Sequence, residues 1–211
     1  MQPVFPITSL ALGSLPLFTL PRFVRPRPLF LGVGAALLAA TLVIQPLPAR
    51  LVISALLPVS TIAASVATGA VAGVVQEGLK ALPLRWGGPP EGAWLGAGFG
   101  LGEAALVALA QFITPSAPPL WSAIIPGAER LLATWFHIVT GAVLGLGWAR
   151  GRFLPHFAIA VVAHAGIDAG AAYISLARLN TLDPSVFLPL YSGMALLNVV
   201  LSLFLVRGWP E

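Results

Sequence analysis

A histidine and an aspartate stand four residues apart in the stretch AVVAHAGIDAG, inside a run that is otherwise apolar enough to lie in a membrane. On a helix, His164 and Asp168 would share one face, one turn apart. An acid at that distance fixes the tautomer of a histidine and raises its basicity, as the partners of catalytic and metal-binding histidines do. The pair is therefore the first candidate for chemistry in this chain.

Three further apolar runs contain ionisable residues. Glu103 and His137 fall near the middle of their runs, and Glu77 and Lys80 lie three residues apart in VVQEGLK. A charged residue at the centre of a bilayer costs about 2.5–3.5 kcal/mol on insertion scales, and such residues usually face the bundle interior and mark a site. If the four runs converge, we expect a buried cluster of histidines, acids and a lysine.

Each of these residues also has a purely structural interpretation. Glu77 and Lys80 are then an ion pair at a helix end, and the two residues in the middle of their runs are uncharged groups bonded to neighbours. Glu129 and Arg130, at the start of the run that contains the histidine, are an interfacial pair. Structural accidents are not expected on four separate helices, so we interpret the cluster as functional.

The composition places these residues in a membrane protein. Of 211 residues, 58% are hydrophobic and 9% are charged, whereas soluble domains carry about 25% charged residues. The net charge of +4 comes from basic residues in short gaps between apolar runs, which indicates topology signals and not a surface for nucleic acid. Cysteine is absent, so any metal would be held by His, Asp or Glu.

Apolar runs of about 20 residues, the length of a membrane span, lie near residues 29–46, 51–75, 92–113, 129–148, 153–175 and 186–206. The first twenty residues are also apolar, contain prolines and lack the basic start of a secretory signal, so we expect a short, proline-broken helix there. The predicted fold is an all-α polytopic membrane protein, a bundle of about seven transmembrane helices. Residues 1–211 are predicted to form a single transmembrane helical domain.

The positive charges predict an orientation. With seven spans, eight of the eleven Lys and Arg residues fall on one side of the membrane and three on the other. Because the positive side faces the cytoplasm, the N-terminus is predicted outside and the C-terminus in the cytoplasm. We expect a protein of a bacterial or archaeal plasma membrane, surrounded by lipid.

Four motifs follow one another along the chain: QEGLK, FGLGE, ERLLATWFH and HAGID. Their order resembles that of the YhfC-type membrane peptidases, which belong with PrsW and the CAAX prenyl proteases to one superfamily. The pattern there is a Glu-Glu pair with a downstream basic residue, a Phe-x-x-x-His or Phe-x-x-x-Glu helix, and a His-x-x-x-Asn/Asp/His helix. The resemblance implies an intramembrane protease that cleaves a membrane-embedded or membrane-associated protein. One position departs from it, because Gln76 stands where the leading glutamate, regarded as the base that activates water, is expected.

Two mechanisms follow for a protease. Without a metal, Glu77 is the base, and Glu103 completes the polar pocket. His164 then stabilises the oxyanion or protonates the leaving amine, while Asp168 orients it. With a metal, His164, Glu103 and His137 bind zinc and leave the fourth position to water. The H-E-x-x-H spacing is absent, so the metal-free version ranks slightly ahead. The supporting residues are Gln76, Lys80, Phe99, Glu129, Arg130 and His137.

Two other functions stay open. A non-catalytic scaffold or binding subunit is favoured by Gln76, since the superfamily also contains a subunit of gamma-secretase that is regarded as structural. A small proton-coupled transporter is suggested by the chain of His, Asp and Glu residues, which serve as proton relays in membranes. The sequence has no visible inverted repeat of the kind on which many transporters are built, which counts against transport.

Overall fold

The structure is a computed structural model that describes residues 4–113, 120–179 and 183–208. Every regular element in these ranges is helical. The α-helices are α1 Val4–Thr19, α2 Pro28–Ile44, α3 Pro46–Leu56, α4 Thr61–Leu84, α5 Pro89–Ile113, α6 Ile124–Ala149, α7 Phe153–Leu176 and α8 Pro184–Gly208. A helix satisfies its own backbone N–H and C=O groups, as lipid requires. The predicted all-α class is confirmed.

The helices have the dimensions of a membrane bundle. In the described part of the chain, six are long and apolar enough to cross a membrane, namely α1 with the turn after it and α4 to α8. The pair α2 and α3 passes the same test together and is bent by 42°. Counted as one span, the pair gives seven, and the chain is an integral membrane protein.

The sharp bend at a proline lies in the second span, between α2 and α3. The sequence analysis predicts a proline-broken helix in the first span instead. Pro16 lies inside α1, one turn before its end. Gln45 separates α2 from α3, which begins at Pro46. Proline donates no hydrogen bond, and its ring clashes with the carbonyl four residues earlier, so the helix bends at this point.

The predicted span 51–75 is divided between two helices. α3 ends at Leu56, and α4 begins after Ser60, whose side chain accepts a hydrogen bond of 3.2 Å from the backbone N–H three residues later. The apolar run continues through this turn, so hydropathy does not locate it. The predicted run ended at residue 75, but α4 extends to Leu84. Glu77 and Lys80 of the first motif therefore lie inside a membrane-spanning helix and not at its end.

α6 is the central helix of the bundle. Most of its side chains are buried, and α1, α4, α5, α7 and α8 all pack on it. The two most extensive helix pairs are α4 with α7 and α5 with α6. The outer faces of α7 and α8 carry exposed apolar side chains such as Val162 and Leu196, which suits contact with lipid. The pairs α4–α7 and α5–α6 therefore position the polar side chains of these four helices.

Glycines allow these two pairs to approach closely. A Cβ atom at Gly69 would overlap the backbone of α7, and one at Gly73 would stand 2.7 Å from the carbonyl oxygen of Val161. On α5, a Cβ at Gly96 would overlap the backbone carbonyl of His137. Small residues at such contacts let membrane helices pack through their backbones. The polar side chains of these helices are brought within hydrogen-bonding distance as a result.

Replacing Gly73 with leucine is expected to lower the free energy of unfolding by about 1–3 kcal/mol, the usual cost of overpacking. Gly78 on the same helix is the matched control, because a Cβ there meets no atom within 4 Å. Gly78→Leu should be neutral or stabilising, since leucine favours a helix over glycine. Unfolding in detergent micelles measures both variants, and equal effects would contradict the close contact between α4 and α7.

Candidate functional site

The ionisable residues predicted on separate helices meet in the interior of the bundle. We call them the polar network: Glu77 and Lys80 of α4, Glu103 of α5, Glu129, Arg130 and His137 of α6, and His164 and Asp168 of α7. Its buried centre consists of Glu77, Lys80, His137 and His164. The structure thus brings together every charged or histidine residue that the motifs contain.

Glu77 links α4 to α7 at the buried centre. Its side chain is 0% exposed, and its Oε1 accepts hydrogen bonds from Lys80 Nζ at 2.6 Å and from His164 Nδ1 at 2.5 Å. An ionised carboxylate only accepts, so Nδ1 of His164 carries a proton. The other ring nitrogen of His164, Nε2, lies 3.6 Å from Asp168 Oδ2. The predicted pair on α7 is therefore extended by a second acid on α4.

Lys80 connects the centre to α5 and α6. Its ammonium donates to Glu77 Oε1 and, at 3.0 Å, to Thr140 Oγ1, and it lies 3.3 Å from His137 Nδ1. An ammonium has no acceptor, so His137 Nδ1 accepts and His137 Nε2 carries the proton. The ring of Phe99 packs beside both groups, 4.8 Å from the His137 ring centroid and 5.3 Å from Nζ. Phe99 thereby shapes the wall of the site.

Glu103 is one of the partly exposed members of the network, together with Glu129 and Asp168. Its Oε2 accepts a hydrogen bond of 3.2 Å from His137 Nε2 and lies 3.1 Å from Arg130 Nη1. Arg130 also pairs with Glu129. Both residues were expected at a helix start, but α6 begins more than one turn earlier at Ile124. The pair therefore lies more than one turn inside α6, with Arg130 buried and Glu129 24% exposed, and Arg130 holds the carboxylate of Glu103.

A groove of about 220 Å³ opens beside Glu103. Its walls include the side chains at the bend between α2 and α3, together with Gln76 of α4. Gln76 Nε2 donates to Gln45 Oε1 at 3.1 Å, while Gln76 Oε1 is buried without a hydrogen-bond partner. Carboxylate and carboxamide groups thus share a space that lies within the membrane-spanning part of the protein.

Sequence reasoning missed two residues of this arrangement. Gln45 lines the groove, and the signal for it was a polar residue directly before Pro46 in an apolar run. Thr140 accepts from Lys80, but a threonine in a helix carries no distinctive signal. Gln76, the residue that departs from the peptidase pattern, lines the same groove as Glu103.

Within residues 4–113, 120–179 and 183–208, one group of three residues could offer ligand atoms to a metal, namely Glu77, His137 and His164, whose donor atoms lie within 4.8 Å of one another. The predicted set had Glu103 in place of Glu77. Zinc ligands lie about 2.0–2.3 Å from the ion, but Lys80 Nζ already lies 2.6 Å from Glu77 Oε1 and 3.3 Å from His137 Nδ1. A charged lysine there repels a second cation, so the trio does not fit zinc.

Replacing Lys80 with methionine is expected to raise zinc binding at least tenfold over the wild type. A divalent ion and a unit charge about 4 Å apart repel by about 8 kcal/mol at an effective dielectric constant of about 20, and the substitution removes that repulsion. Metal content after dialysis against zinc, measured by mass spectrometry, tests this. Adding His164→Ala should return the content to the wild-type level, and stoichiometric zinc in the wild type would contradict the prediction.

Comparison of the chain with protein-family models, with curated proteins and with solved structures finds no match, so its function is inferred from the polar network and the groove.

Proposed function

We propose that this chain is an intramembrane peptidase that hydrolyses peptide bonds in the groove beside Glu103. One observation carries the proposal: Glu103 lines the groove and is hydrogen-bonded through His137 to the buried centre of the polar network. A general base needs both properties, because water must reach it and its orientation must be fixed.

Glu103, and not Glu77, is assigned as the base. The side chain of Glu77 is fully enclosed, and its Oε1 is shared by Lys80 and His164. The side chain of Glu103 is 27% exposed, and its contacts with the network use Oε2, which leaves Oε1 for a water molecule. Glu77 is assigned a positioning role, in which its carboxylate fixes the side chains of Lys80 and His164.

The proposed reaction is addition of water followed by loss of the amine. Glu103 Oε1 takes a proton from water while the oxygen forms a bond to the peptide carbonyl carbon, whose oxygen becomes negative. The carboxamides of Gln45 and Gln76 line the same groove and can supply N–H donors to that oxygen. When the C–N bond breaks, the proton held by Glu103 passes to the nitrogen, so that a carboxylic acid and an amine are formed. The acid then transfers its proton to the amine, and a carboxylate and an ammonium leave.

The resemblance of the four motifs to the YhfC-type peptidases supports this function. The leading glutamate of that pattern would be located at Gln76, on the same groove as Glu103. Of the two groove positions at which the pattern would place a glutamate, this chain has glutamine at position 76 and glutamate at position 103. A single carboxylate is sufficient for the proton transfers described above, because it takes the proton and returns it.

The proposal includes an environment and a substrate class. The substrate is a membrane-embedded or membrane-associated protein, since the groove lies among helices that cross the membrane. The distribution of Lys and Arg supports an N-terminus outside and a C-terminus in the cytoplasm. A bacterial or archaeal plasma membrane is the proposed location.

Hydrolysis is tested with the wild-type protein in liposomes, a library of transmembrane peptides and water labelled with oxygen-18. Each new C-terminal carboxylate should contain one labelled oxygen atom, which mass spectrometry detects. No labelled product from a broad library, with a protein shown to be folded, would overturn the proposal.

A scaffold of the same fold is the second candidate. It is favoured by Gln76, which is uncharged and pairs with Gln45 between α4 and the α2–α3 bend. It is also favoured by Glu77, whose charge is already matched inside the bundle by Lys80. A scaffold predicts that Gln76→Ala weakens folding or complex formation, while no peptide is cleaved by any variant.

A further inference from the structure

A second cavity, of about 360 Å³, lies between the turn after α1 and helices α5, α6 and α8. Its volume is in the range of small-molecule sites. The lining is apolar except for Ser202 and includes Trp135 of α6. At its mouth, Phe23 is 78% exposed and Val206 is 74% exposed. Because the surrounding helices cross the membrane, this opening faces hydrocarbon chains.

Three arginines adjoin this cavity. Arg22 and Arg25 flank the lining residues 23–24, and Arg207 directly follows Val206, so each is one residue, or about 3.8 Å in Cα separation, from the lining. All three side chains are exposed, and none pairs with an acid in the described part of the chain. Guanidinium groups bind phosphate with two parallel hydrogen bonds.

Two other arginines at the same end of the bundle are already engaged. Arg27 pairs with Glu91 at 2.8 Å, and Arg150 donates to the carbonyl oxygen of Gly208 at 2.6 Å. The arginines beside the cavity are thus available to a ligand that combines an apolar chain with a negative headgroup.

We propose that this cavity binds an acyl chain of an anionic phospholipid, whose phosphate is held by Arg22, Arg25 and Arg207. The apolar lining takes the chain, and the arginines at the mouth select the charge of the headgroup. The site is separate from the polar network, and its occupation does not depend on peptidase activity.

The test uses the full-length protein in detergent, with phosphatidylglycerol and phosphatidylcholine of identical acyl chains as probes. Native mass spectrometry should show retention of phosphatidylglycerol over phosphatidylcholine. Arg22→Gln and Arg207→Gln should each lower the affinity for phosphatidylglycerol about fivefold, the effect of one basic residue near an anionic lipid surface. Arg85→Gln is the matched control, since Arg85 stacks on Trp86. Equal retention of the two lipids, or an equal effect of Arg85→Gln, would overturn the proposal.

A second variant tests the place of the acyl chain. Ser202→Leu fills part of the cavity and should lower retention of both lipids, whereas Gly193→Leu, on the same helix with no atom within 4 Å of the added Cβ, should not. Retention of phosphatidylglycerol unchanged by Ser202→Leu would mean that only the headgroup binds, and would overturn the proposed acyl site.

Discussion

Replacing Glu103 with glutamine is expected to reduce the turnover number for peptide cleavage by a factor of about 10² or more, the usual contribution of a general base. Glutamine has nearly the same shape and can still contact His137 and Arg130, but its amide cannot take a proton from water. The loss should therefore appear in kcat, with a smaller change in KM, because the walls of the groove are unchanged. Steady-state kinetics on a peptide cleaved by the wild type provide the measurement.

Glu91→Gln is the control for this result. Glu91 pairs with Arg27 outside the polar network and does not line the groove of Glu103, so turnover should stay close to that of the wild type. The comparison with Glu77→Gln decides between the two acids. If Glu77→Gln abolished turnover while Glu103→Gln preserved it, the base would be Glu77, and our assignment of Glu103 would be wrong.

Replacing Glu77 with leucine is expected to lower the free energy of unfolding by about 3–5 kcal/mol, the cost of leaving one member of a buried ion pair without its partner. Glu77 and Lys80 are both fully buried, and their charged atoms lie 2.6 Å apart. Removal of the carboxylate leaves the ammonium with Thr140 Oγ1 and a histidine nitrogen as neighbours. Reversible unfolding in mixed micelles measures the change.

Two further variants separate this effect from the loss of any carboxylate. Glu77→Leu combined with Lys80→Met should recover most of the stability, because apolar pairs often replace buried ion pairs without loss. Glu91→Leu removes an acid from a partly exposed pair, in which the side chain of Arg27 is 46% exposed, and should cost at most about 1 kcal/mol. If Glu77→Leu cost no more than Glu91→Leu, Lys80 could not be a buried cation.

The sequence was sufficient to identify the class of fold and the residues of the network. Long apolar runs identify membrane helices because their length must match the bilayer. Glu77, Glu103, His137 and His164 were recognisable as candidates, since a polar residue in such a run has to be compensated by others. Both inferences depend on local composition, which a sequence displays directly.

Tertiary structure decided which atoms meet and which face an opening. Glu77 and His164 lie 87 residues apart, and they meet because α4 carries glycines that admit the backbone of α7. Glu103, rather than Glu77, reaches a groove because a helix breaks at Pro46 and leaves space beside α5. Hydropathy measures how apolar a segment is and does not report its rotation, its bend or its neighbours. Those properties follow from side-chain packing among all helices, so only the assembled bundle separates the enclosed acid from the accessible one.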